Sequence, residues 1–132
     1  MNKTIIKIKD NLRKYKDKLI ISDETDNCIK IIQKGQKTLP IIFHAKENGF
    51  VIYLKGWHRN FLSEDDALDF LAYSLSENIR LKVIKIANIE YKWILEFKND
   101  NNQWEEESFA QIPLFPFWLK SEIEYYQNNL LS

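Results

Sequence analysis

Few residues in this chain have the chemistry of a reaction centre. The histidines are His44, in an apolar run with strand character, and His58, in the aromatic stretch GWHRNFL at 56–62. Two histidines without HxxxH or CxxC spacing do not compose a metal site, so no metal is expected and both imidazoles read as surface or half-buried side chains. The catalytic alternative is a general-base role for His58, beside Arg59 and the acids Glu64, Asp65 and Asp66. Glu105, Glu106 and Glu107 could bind a metal or exchange protons. On a strand, however, consecutive side chains alternate between faces, so the three acids read as a solvated edge. Cys28 is the single cysteine. It has no internal disulfide partner and requires no oxidising compartment, and its place at the head of CIKII reads as core packing. Glycine occurs only at 35, 49 and 56, which leaves no phosphate-cradling loop or dinucleotide fingerprint to build. No catalytic residue and no cofactor is expected.

The trio Trp57, His58 and Arg59 is the strongest candidate for an exposed functional cluster, because Trp and Arg recur at binding hot spots. The alternative is that Trp57 packs under the helix that follows it. Together with Glu105, Glu106 and Glu107, this trio makes up the expected partner-binding residues.

Composition sets the class. A chain of 132 residues is expected to form one domain, 1–132, with a single core. The net charge is zero, but its sign alternates along the chain. Residues 1–18 carry seven cations and two acids, residues 63–79 five acids and no cation, and residues 99–132 six acids against Lys120. Zero net charge disfavours nucleic acid as a general partner. The basic first segment could touch phosphates, but its lysines surround the helix rather than line one face. Patches of both signs suit a charged protein partner. No secretory signal and no membrane-length apolar run is present, so the expected location is the cytoplasm.

The elements follow from periodicity. Ile5, Ile8, Leu12, Tyr15 and Leu19 recur at helical steps, and SDETDN at 22–27 is a turn. Strands are expected at 28–33, 39–46 and 50–55, with Gly49 in the ENG turn supplying positive φ. GWHRNFL is expected to be a loop. Ser63 caps a helix with Glu64, Asp65 and Asp66 in its first turn and a stripe of Leu68, Leu71 and Leu75. Further strands are expected at 80–87, 90–98 and, as a polar edge, 103–109. After an extended PLFPFW, residues 117–131 fit either a strand or a helix. The spacing of Ser121 and Glu124, which matches a capping box, favours helix. The fold class is therefore α+β: a mainly antiparallel sheet of about six strands with two helices on one face, in the order α-βββ-α-βββ plus a C-terminal extended or helical segment. The order hints at two similar halves.

GWHRNF, the acidic helix, RLKV, YKWILE, Trp104, FPFWLK and YYQN fall between residues 56 and 128. Their arrangement resembles small bacterial proteins that include immunity proteins of contact-dependent inhibition and related polymorphic toxin systems. The resemblance implies a non-enzymatic module that binds and neutralises a cognate toxin, and it carries over no binding residue. The rival reading is a small-molecule-binding or enzymatic domain whose pocket is lined by Tyr53, Tyr91, Trp93 and Trp104.

Overall fold

Two antiparallel sheets, not one, organise the chain. The computed structural model describes residues 2–113 and 119–131. Among them, the first sheet is a meander of β1 (Leu19–Thr25), β2 (Cys28–Gln33), β3 (Ile41–Lys46), β4 (Gly49–Leu54) and β5 (Trp57–Phe61), paired in chain order. The second holds β6 (Ile79–Ile86), β7 (Ile89–Lys98), β8 (Trp104–Gln111) and β9 (Ser121–Tyr126) in the spatial order β8-β7-β6-β9. Three hairpin-connected strands with a fourth returning beside the first form a Greek key. Helix α1 (Lys3–Leu12) precedes the meander, and α2 (Glu64–Ser74) links the two sheets.

Local chemistry fixes both helix starts. Asn2 Oδ1 accepts from the N–H of Thr4 at 2.8 Å and of Ile5 at 3.4 Å. Ser63 Oγ accepts from Asp66 N–H at 3.0 Å, as its position before three acids requires. Each such cap contributes about 1 kcal/mol. Across the helices, Glu64 accepts from Thr4 Oγ1 at 2.9 Å and from Lys7 Nζ at 2.5 Å. These bonds hold the Glu64 carboxyl below its ordinary pKa and, reciprocally, the Lys7 amine above its own.

The core draws on both helices and both sheets. Ile5, Phe43, Ile52, Leu54, Leu81 and Leu95 are among the fully buried side chains, and all belong to one cluster. Register places Phe43 between Ile29 and Ile52 in the first sheet, and Leu81 beside Leu95 in the second. Among the described residues, no helix is long and apolar enough to cross a membrane.

The expected single six-stranded sheet becomes nine strands in two sheets among the described residues. The first helix stops at Leu12 and a 3₁₀ turn follows over Arg13–Tyr15. Leu19 instead opens β1, whose SDET portion is an exposed edge. WHRNF is a strand rather than a loop. Residues 121–126 are a strand rather than a helix, because the non-local ladder to β6 pairs Lys82 with Tyr125 and Ile84 with Ile123 and overrides the local capping signal. The two halves do not repeat, one being a meander and the other a Greek key. The expected PLFPFW segment lies outside the described residues beyond Pro113.

Candidate functional site

The sequence-selected residues separate into a joint and a surface. Trp57 is 3% exposed, which corrects the expectation that it stands outside. Its ring stacks on Phe70 of α2, with centroids 5.6 Å apart, which is the alternative reading in which Trp57 packs under the following helix, and its Nε1–H donates to Ser108 Oγ at 3.0 Å. Arg59, also on β5, donates to both Glu107 oxygens, at 2.6 Å to Oε2. Its guanidinium lies 5.0 Å from the Trp57 ring. These four residues join the edge of the first sheet to the edge of the second.

A bulge in β8 makes this joint. Leu95 pairs with Ser108 and Glu96 with Glu106, leaving Glu107 as the extra residue. A bulge re-aims the side chains around it, and here it lets Glu107 and Ser108 both reach β5. Strict alternation along Glu105–Glu107 could not show that. Glu105 is exposed and accepts from Asn99 Nδ2 at 3.0 Å. Glu106 is exposed on the opposite face. His58 is exposed, with its ring 5.6 Å from that of Tyr53.

Sequence reasoning missed the outer face of the second sheet. Register puts Arg80, Lys82 and Ile84 of β6 on it, beside Glu96, Ile94 and Lys92 of β7. Trp104, Glu106 and Phe109 of β8 and Ile123 and Tyr125 of β9 complete it. The Arg80 guanidinium lies 4.3 Å from the Trp104 ring and 4.2 Å from the Tyr125 ring, and it donates to Glu96 at 2.6 Å. Lys92 sits 4.5 Å over Phe109. Phe109, Ile123 and Tyr125 are 54%, 51% and 42% exposed. Among the described residues no helix packs on this face. The available signal was the period-two alternation of RLKVI and YKWILEF, read for its outward rather than its inward members.

Three of the four aromatics expected to line one pocket, Tyr53, Trp93 and Trp104, do not converge. Tyr53 lies on the outer face of the first sheet, Trp104 on the outer face of the second, and Trp93 on the second sheet's inner face against Gly56.

Cys28 and His44 are direct cross-strand partners, a proximity the chain order conceals. The Cys28 thiol nevertheless titrates above its ordinary value, chiefly through burial and then through Glu24. A thiol held protonated is a poor nucleophile. Alkylation by iodoacetamide at pH 8 should run several-fold slower than for free cysteine and reach half its maximal rate above pH 9.0. Fast alkylation at pH 7 would refute this. The chain matches no family model, no curated protein and no solved structure.

Proposed function

We propose that the chain is a non-enzymatic protein-binding module and, in its sharpest form, an immunity protein that binds and neutralises a cognate toxin. The observation that carries the reading is the outer face of β8-β7-β6-β9. It combines exposed Phe109, Ile123 and Tyr125 with Arg80, Lys82, Lys92 and Lys98, against the acids Glu96 and Glu106. Exposed aromatic side chains ringed by charge have hot-spot composition. The excess of cations calls for a partner surface with carboxylates around an apolar projection. Of the motifs that carry the resemblance to immunity proteins, RLKV, YKWILE, Trp104 and the two tyrosines of YYQN lie on this sheet, whereas GWHRNF lies on β5 of the other sheet and the acidic helix is α2. His58, Glu105 and Glu106 remain available to a partner, whereas Trp57, Arg59 and Glu107 are engaged in joining the sheets.

The test is capture of the tagged chain's partner from its native lysate, then affinity measurement with the purified partner. A stoichiometric partner with an acidic surface should bind Lys82→Glu/Lys92→Glu and Phe109→Asp at least about 100-fold more weakly. Equal affinity in both variants would remove this face, and no stoichiometric partner would remove the reading. Trp57→Ala is a poor probe, because loss of a buried Trp unfolds as well as unbinds.

A further inference from the structure

Two lysines occupy backbone conformations that suit glycine. Lys37 and Lys55 have φ of 56° and 55°, a left-handed conformation that is strained for a non-glycine residue. At the β4–β5 turn the adjacent Gly56 does not carry the positive φ. The strain therefore falls on Lys55, and its effect is to place an ammonium. That ammonium lies 3.1 Å from Glu90 and 4.5 Å from the Tyr126 ring centroid.

Beside it opens a cavity of about 290 Å³, lined by Lys30, Pro40, Ile42, Tyr53, Lys55 and Glu90 among others. Its floor is built from one cross-strand row, because Lys30 pairs with Ile42 and Ile42 with Tyr53. Glu90 comes from β7 in the other sheet, so the cavity occupies a corner between the sheets. Lys30 forms no ion pair among the described residues, while Glu90 already balances Lys55. The corner thus has an uncompensated positive charge over an apolar floor.

We propose that this corner binds a small anion with a flat apolar body, of the aryl phosphate or aryl carboxylate class. The anionic head would bridge the Lys30 and Lys55 ammoniums, and the ring would lie on Pro40, Ile42 and the Tyr53 ring. Such a split between a charged head and an apolar body is how small-molecule sites fix orientation. The site is separate from the outer face of the second sheet and stands or falls independently of the protein-binding reading.

The test is an amide NMR titration with phenyl phosphate and benzoate, with inorganic phosphate and acetate as ringless controls. Saturable shifts are expected at Lys30, Ile42, Tyr53, Lys55 and Gly56, with a Kd of about 1 mM for fragments of this size. Lys30→Gln should weaken binding about tenfold. Lys55→Gly should weaken it similarly while keeping the protein folded, because relief of the positive φ offsets loss of the Glu90 ion pair. Absence of saturable shifts up to about 20 mM would overturn the proposal. So would shifts of equal size with acetate or phosphate that persist in Lys30→Gln.

Discussion

Gly56→Ala is expected to destabilise the protein by about 3 kcal/mol, the upper range for forcing atoms into a packed site. The readout is a lower urea midpoint at unchanged m-value. A Cβ at this position would lie 2.3 Å from Cε2 of Trp93 and 2.5 Å from Cδ2 and Cζ2. The indole cannot simply retreat. Its Nε1–H donates to Glu90 at 2.9 Å, and Glu90 in turn holds Lys55 at 3.1 Å. The glycine is required for close approach of the second sheet rather than for φ, since the left-handed residue of the turn is Lys55. This predicts strong coupling. In a double-mutant cycle, adding Trp93→Leu to Gly56→Ala should cost less than the two single changes summed. A cost below about 1 kcal/mol for Gly56→Ala, or strict additivity, would show that Trp93 is not fixed on the Gly56 backbone.

The parts of this fold that were legible in the sequence are those fixed by neighbours in the chain. Ser63 and its three acids announce α2 because a cap is satisfied within three residues. The alternation Tyr91, Trp93, Leu95, Phe97 announces β7 because one face of a strand is buried. The misread segments are governed by distant partners. WHRNF looks like a loop because His58 and Asn60 are polar, yet they are only the solvent face of a strand paired through Ile52–Arg59 and Leu54–Trp57. Ser121 and Glu124 mimic a capping box, but Glu124 accepts from Lys85 at 2.8 Å and from Lys37 across the sheets.

The candidate site divides along the same line. Trp57, Arg59 and Glu107 are the residue types that make interfaces, and they do make one, between the two sheets of this chain. Composition identifies an interface residue without saying which surface it meets. The bulge that turns Glu107 toward Arg59 leaves no mark in EEES, because any acid tolerates that position. The outer face needed the β6–β9 ladder before Tyr125 could be placed beside Arg80, 45 positions away in sequence.

Asn128→Leu should be the most damaging single substitution among the polar residues, at about 4 kcal/mol, a large share of the 5–15 kcal/mol typical of a whole domain. Asn128 is fully buried. Its Oδ1 accepts from Leu39 N–H at 2.9 Å, and its Nδ2 donates to the carbonyls of Leu39 at 2.8 Å and Ser74 at 2.9 Å. One amide thus satisfies the entry to β3 and the end of α2, and ties both to the tail behind β9. Leucine keeps the volume but strands a donor and two acceptors out of water. Asn128→Asp separates hydrogen bonding from shape. The new carboxyl can still accept from Leu39 N–H, but its second oxygen faces two carbonyls and needs a proton to bond either. Its folded-state pKa must therefore lie above the unfolded value of about 3.9. A raised acid pKa means that the unfolded state loses its proton first as pH rises. The variant's deficit relative to the parent protein should accordingly be smallest at acidic pH, grow from about pH 4 upward, and level off above the folded-state pKa. Thermal midpoints of both proteins across that range decide the matter. A deficit independent of pH would mean that the carboxylate reaches water, and that the tail is not clasped between the sheets by a dry amide.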